Sequence, residues 1–300
     1  MKVNFLNKMH SLSLCLISLF LIIIKNSLDI NFSLNNELIL IICFFLIASI
    51  GVSHGALDNY KGMKLLKKFK IKKSLYFYLS YIAFSTFVIF LWIILPEITL
   101  VLFLIIAAFH FGKEDNVFKK NRTKYLSLFL FLKGSLIILA PLYFNFDETV
   151  KIFEVLNLKI ENINSSILLT LIIVSVLSSF IINKDFIFPF VDCFTIIILN
   201  YTFSPIIAFT IYFCFLHSIR HSVALIYEID NKNLKKGTKI FFQKALPLTI
   251  VTGLLFLVGL FILNNFYSFN YSVLKVIFIG LASLTFPHIL LEYLIEKNEK

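Results

Sequence analysis

The chain consists mostly of long apolar runs separated by short polar segments. Several runs are shorter than the roughly 20 residues that a helix needs to cross a bilayer cleanly. The pattern predicts an all-α fold, a polytopic integral membrane helix bundle with about eight to ten transmembrane helices. The runs cover residues 10–25, 37–53, 75–95, 98–111, 125–144, 165–183, 186–200, 205–227, 245–263 and 271–291.

The composition makes a water-soluble fold implausible. The chain is 59% hydrophobic and 15% charged, with a mean hydropathy of +0.90. An ordinary soluble domain is about 45–50% apolar and about 25% charged. No linker or repeat divides the chain, so we expect a single membrane-embedded domain over residues 1–300. No small-residue cleavage site follows the first run, and we interpret it as a retained membrane helix.

The polar segments alternate in charge. Those after the second, fourth and eighth runs are rich in lysine, and those after the first, third, fifth and ninth are neutral or acidic. The positive-inside rule then places both termini in the cytoplasm and fits ten helices. We expect a multi-pass protein of the cell inner (plasma) membrane. The net charge of +11 is explained by lysines that face anionic lipid, and we expect no nucleic-acid partner.

Histidines recur at the ends of runs that would cross in the same direction. One histidine could simply hydrogen-bond across helices, but ionisable groups within membrane spans are costly and are usually functional. We therefore expect a shared site near the cytoplasmic side and assign His10, near the start of the first run, to the interface. The five histidines of the predicted site are His54, His110, His217, His221 and His288.

His217 and His221 form the core of this prediction. They lie four residues apart in the sequence HSIRH, so a helix places them one turn apart on one face, where they could hold one metal ion. Arg220 points elsewhere on the helix and could meet lipid phosphate or a carboxylate such as Asp58 or Asp115.

Two further motifs share one form, in which an apolar run ends in histidine, glycine and an acid. They are GVSHGALD around His54 and AAFHFGKED around His110. Asp58 and Asp115 are candidates to accept the second ring N–H of a metal-bound imidazole. Asp58 could instead cap the next helix or meet loop lysines. Glu114 and Asp115 could instead simply belong to a mixed-charge loop.

The fourth motif is FPHILL, in which we expect Pro287 to disturb the helix. His288 is either a further ligand or a group that lines a pocket. Imidazoles without thiolate ligands suit Fe, Cu, Zn or Ni, and the four cysteines are read as packing. Nearby phenylalanines could line an apolar pocket for a long substrate that enters from lipid, namely Phe109, Phe111, Phe213, Phe215 and Phe286.

The four motifs in this order, from Gly51 to Leu291, resemble the Brp/Blh family of bacterial and archaeal carotene-cleaving enzymes. The resemblance implies a β-carotene 15,15′-dioxygenase that uses Fe(2+) and O2 to split the central double bond into two all-trans-retinal molecules. It implies that the iron ligands are His54, His110, His217 and His221, with a less certain role for His288. It also implies that retinal is passed to a microbial rhodopsin.

Two other classes remain open. A desaturase or hydroxylase with a di-iron centre shares the HxxxH spacing but usually has an HxxHH box, which this sequence lacks. A transporter or haem-bearing electron carrier could also use intramembrane histidines. Iron content near two per chain would favour the first of these classes, and a haem absorption band would favour the second.

Overall fold

The computed structural model describes residues 2–28, 36–53, 55–71, 73–116 and 124–299. These residues form α-helices joined by short turns, with two π-helical segments and no β-strand, which confirms the all-α prediction. The helices are α1 (Lys2–Leu28), α2 (Glu37–Leu46), α3 (Asp58–Lys68), α4 (Leu75–Ile94), α5 (Pro96–Glu114), α6 (Leu126–Phe144), α7 (Phe146–Val155), α8 (Ser165–Ile182), α9 (Ile187–Thr202), α10 (Pro205–Ile211), α11 (Ile219–Ile229), α12 (Leu234–Leu263) and α13 (Phe269–Glu299).

Nine helical stretches in the described ranges are long and apolar enough to cross a membrane. This number agrees with the predicted eight to ten. The apolar run predicted over 186–200 is the shorter helix α9, with 16 residues. The outer surface is strongly apolar, as α12 illustrates with Leu255 63% exposed and Phe261 76% exposed. Such a surface matches a hydrocarbon solvent and not water.

Several polar segments that the sequence pattern assigns to loops are helical. The lysine-rich segment after residue 57 forms α3, and the acidic segment after Phe144 forms α7. The lysine-rich start of α12 is also helical, because the Asn233 side chain accepts a hydrogen bond from the Lys236 backbone N–H and caps the first turn. Pro287, which is expected to disturb the helix, does not end it, since α13 continues through it to Glu299.

The last turns of α5 are fixed by an unusually close contact with α6. A Cβ added at Gly112 would lie 1.8 Å from the Leu130 carbonyl oxygen, and one added at Gly134 would lie 1.8 Å from that of Ala108. Only glycine allows the two backbones to approach this closely, as at small-residue interfaces between membrane helices. This contact sets the position of His110, which lies between Ala108 and Gly112.

Two π segments interrupt the helices that precede histidine motifs. The first, Ile47–Gly51, follows α2, and the second, Tyr212–Ser218, joins α10 to α11. They pack together, with the Ser218 hydroxyl donating a hydrogen bond to the Gly51 carbonyl oxygen at 2.7 Å. π segments occur frequently at functional sites because they turn side chains away from the regular helical register.

Candidate metal centre

Four of the six histidines meet inside the bundle. The ring centre of His110 lies 5.2 Å from the centres of both His217 and His288. His221 completes the group, 6.4 Å from His217 and 5.9 Å from His288. All four side chains are buried. The predicted ligand His54 lies outside the described residues.

The spacing of these rings is compatible with a shared ion. A metal–nitrogen bond of about 2.1 Å puts the ring centre roughly 3.3 Å from the ion. Two imidazoles on one ion therefore have centres about 4.6 Å apart at a right angle and about 6.5 Å apart when opposed. The four neighbouring separations, from 5.2 to 6.4 Å, fall within this range.

Three of the imidazoles are each oriented by a carboxylate. His217 Nδ1 lies 3.0 Å from Asp115 Oδ1, and His221 Nδ1 lies 3.1 Å from Glu114 Oε2. The third imidazole has the same arrangement, with His288 Nδ1 2.8 Å from Asp58 Oδ1. An ionised carboxylate can only accept, so Nδ1 carries a proton, and in the neutral ring Nε2 then carries the lone pair that a metal needs.

The carboxylate partners differ from the predicted ones. Asp115 was predicted to serve the histidine of its own motif, but it contacts His217 and accepts a hydrogen bond from the Tyr212 hydroxyl. The physical reason is rotation, because residues five apart on a helix point about 140° apart. Glu114 is only four residues after His110, so it shares the face of that histidine. Its assignment to a mixed-charge loop is therefore wrong.

Asp58 begins α3 but does not cap it, since no side-chain capping hydrogen bond is formed there. It is 4% exposed and accepts hydrogen bonds from His288 and from the Tyr81 hydroxyl, the latter at 2.9 Å. The predicted contact of Asp58 with His54 stays a prediction, because position 54 lies outside the described residues.

A carboxylate on α13 also approaches the cluster. One ligand atom from each of His221, His288 and Glu292 lies within 4.8 Å of the others, a spacing that a metal ion could bridge after small shifts. Glu292 is paired at the same time with the Lys61 ammonium group. Its position four residues after His288 would have identified it in the sequence as lying on the same helix face.

Aromatic rings cover one side of the histidine cluster. Phe111 and Phe213, two of the five predicted phenylalanines, contact His217 with ring centres 4.8 and 5.8 Å away. Phe213 stacks on Phe209 at 5.4 Å, and Phe209 lies 6.1 Å from Phe278. These aromatic rings form a continuous apolar row that begins at His217 and leads away from the histidine cluster.

Arg220 forms a separate polar contact on the far side of the same helix. Its two terminal nitrogens donate to Asp192 at 2.9 and 3.1 Å, and one of them also donates to the Ser11 hydroxyl at 2.9 Å. The prediction that Arg220 could meet a carboxylate is confirmed, but the carboxylate that accepts its hydrogen bonds is Asp192, not Asp58 or Asp115. Asp192 was missed, although a lone carboxylate inside an apolar run is itself a signal of an intramembrane ion pair.

The donor set fits an iron ion. Imidazole suits Fe as well as Cu, Zn and Ni, and the described part of the cluster contains imidazoles and carboxylates without a thiolate. The fixed Nδ1 protons leave Nε2 as the coordinating atom in three of the four rings. The cluster therefore offers what a multi-histidine metal centre requires: neutral nitrogen ligands, buried and held by carboxylates.

Fold and site together define an all-α polytopic membrane protein that gathers imidazoles and carboxylates within its bundle. The chain belongs to the β-carotene 15,15′-dioxygenase family, whose model matches residues 45–296. It is therefore an oxygenase-type enzyme. It is 27% identical over 257 residues to a β-carotene 15,15′-dioxygenase from an uncultured marine bacterium, 66A03, covering 82% of this chain and 90% of the relative. No solved structure matches the chain.

Proposed function

We propose that this chain is an iron(II)-dependent β-carotene 15,15′-dioxygenase. It splits the central double bond of β-carotene with O2, and each of the two carbons takes one oxygen atom, giving two molecules of all-trans-retinal. The observation that carries the proposal is the cluster of four buried imidazoles, three of them held by carboxylates, in a chain of this family.

The proposed iron ligands are His54, His110, His217 and His221. Iron(II), when bound, supplies the redox chemistry with O2 that amino-acid side chains cannot supply. The protein's own contribution is to hold Nε2 of His217 and His221 in position through Asp115 and Glu114. It also excludes water, because these histidines are at most 8% exposed.

The substrate is apolar and dissolves in the bilayer, so it would reach the site from the lipid. The rings of Phe111 and Phe213 beside His217, continued by Phe209, make the surroundings of the cluster apolar, as a conjugated polyene requires. Phe111 and Phe213 are buried, so these rings would have to move apart to admit the substrate. Their role is to place the central double bond beside the metal. Such positioning can contribute a large part of the rate enhancement.

The proposal also includes the cellular setting. The enzyme would reside in the inner membrane with both termini in the cytoplasm, as the loop charges predict. Retinal would pass to a microbial rhodopsin in the same membrane. Iron content separates this reading from a di-iron oxidase, since the proposal expects about one iron per chain and the alternative about two.

The test is expression of the full chain in bacteria that accumulate β-carotene. We expect the orange colour to fade and retinal to appear by chromatography. The His217→Ala variant should insert into the membrane and leave the carotene intact, because a metal ligand is lost. The control is Phe261→Ala on α12, which changes a side chain that is 76% exposed on the outer surface, and this variant should form retinal normally. Persistent carotene with inserted, iron-loaded protein would refute the proposal.

A further inference from the structure

We propose that His288 is a ligand of the same metal ion and that Asp58 is its positioning residue. The inference deepens the proposed function and rests on it, because it adds a residue of α13 to the four proposed ligands. His288 and Asp58 come from helices that are far apart in sequence, and the two residues are 230 positions apart.

The first argument is that His288 has the surroundings of the two central ligands. Its Nδ1 lies 2.8 and 3.0 Å from the two oxygens of Asp58, just as His217 and His221 each face a carboxylate. His288 is 4% exposed, as is Asp58. An imidazole that only filled space would not require a buried carboxylate, which is costly to remove from water.

The second argument is position. The His288 ring lies 5.2 Å from that of His110 and 5.9 Å from that of His221, so it borders the cluster on two sides. A ligand atom of His288 also lies within 4.8 Å of one from His221 and one from Glu292. An ion bound by His221 would therefore lie within reach of His288 as well.

The third argument concerns which group on α13 binds the ion. Glu292 is engaged by the Lys61 ammonium group, and the two side chains are only 14% and 12% exposed. A carboxylate neutralised in this way is a weaker ligand than a neutral imidazole with a fixed proton. Asp58 is itself held by the Tyr81 hydroxyl at 2.9 Å, which keeps it facing His288. The ligand role therefore belongs to His288.

The experiment compares purified wild type with the His288→Gln and Asp58→Asn variants and with the exposed control Phe261→Ala. Glutamine keeps an N–H that can donate to Asp58 but removes the imidazole, so the contact between α3 and α13 is retained. We expect His288→Gln to bind iron(II) at least about tenfold more weakly, and Asp58→Asn to weaken binding by about 10–100-fold. Phe261→Ala should bind iron(II) like wild type, because its side chain faces outward.

A spectroscopic measurement separates ligation from structural support. With Co(II) in place of iron, the visible absorption bands should change in His288→Gln. A His288→Gly variant should recover the wild-type bands when free imidazole is added. Unchanged affinity and unchanged Co(II) bands in His288→Gln would overturn the assignment.

The two proposals fail in different ways. If wild type binds iron but makes no retinal, the proposed function is wrong, while the ligand measurements on His288 still stand. If wild type makes retinal and His288→Gln binds metal like wild type, only the assignment of His288 is wrong.

Discussion

One helix carries two polar regions of opposite character, a metal-binding face and an ion pair. His217 and His221 face the imidazole cluster, whereas Arg220 points away from it and is closed off by Asp192 and Ser11. Both regions are buried in an apolar bundle. The histidines face other imidazoles, and the arginine is hydrogen-bonded to a buried carboxylate and a serine hydroxyl.

The difference shows that the two faces of this helix have different roles, one in metal binding and the other in holding the helix in place. A guanidinium cannot lose its proton, so a buried arginine must have its charge balanced by a partner. Asp192 on α9 provides that partner with two hydrogen bonds and fixes the rotation of α11. We infer that the ion pair sets the helix orientation that keeps both histidines facing the cluster.

The largest effect is expected from breaking the ion pair. Arg220→Ala leaves Asp192 buried without its countercharge and should lower the free energy of unfolding by about 3–5 kcal/mol. The Arg220→Met, Asp192→Leu double variant removes both charges and should be close to wild type in stability. The measurement is unfolding of the purified protein in detergent micelles.

These variants distinguish an orienting role from simple stability. If the pair orients α11, the double variant should fold but bind iron(II) more weakly than wild type. A double variant with both wild-type stability and wild-type metal affinity would show that the ion pair is unrelated to the site.

The sequence predicted the helices and most of the cluster, but not the pairing between helices. Apolar runs identify membrane helices because burial in lipid depends on composition. The spacing of His217 and His221 fixed their common face. The hydrogen-bond partners of Asp58 and Asp115 could not be predicted from the sequence. These pairings depend on the rotation of each helix and on the π segments, and the apolar pattern reveals neither.

A smaller effect is expected on the metal-binding face. Asp115→Asn replaces the carboxylate that orients His217 with an amide and should weaken iron(II) binding about 10–100-fold. Glu114→Gln should have less effect on His221, because the Glu114 side chain is 19% exposed and that of Asp115 is 9% exposed. Metal titrations measure both affinities. Equal affinities in wild type and Asp115→Asn would argue against carboxylate orientation of His217.

The smallest effect is expected at an ion pair of the same chemistry near the surface. Lys8 on α1 lies 2.8 Å from Asp185, which precedes α9, and the two side chains are 37% and 25% exposed. Solvent screens such a pair, so Lys8→Met should change the free energy of unfolding by less than about 1 kcal/mol. The control is the buried pair, where Arg220→Ala should cost several times more.

This exposed pair should also respond to pH and salt, unlike the buried one. The hydrogen bond from Lys8 lowers the pKa of Asp185. The contribution of this ion pair to the free energy of unfolding is therefore present above the ordinary aspartate pKa of about 3.9. It is lost as the pH falls through the lowered pKa of Asp185. Unfolding measured at low and high ionic strength should show the Lys8→Met difference shrinking with salt. If Lys8→Met lowered the free energy of unfolding by several kcal/mol at every salt concentration, solvent exposure would not explain the difference in strength between the Lys8–Asp185 and Arg220–Asp192 pairs.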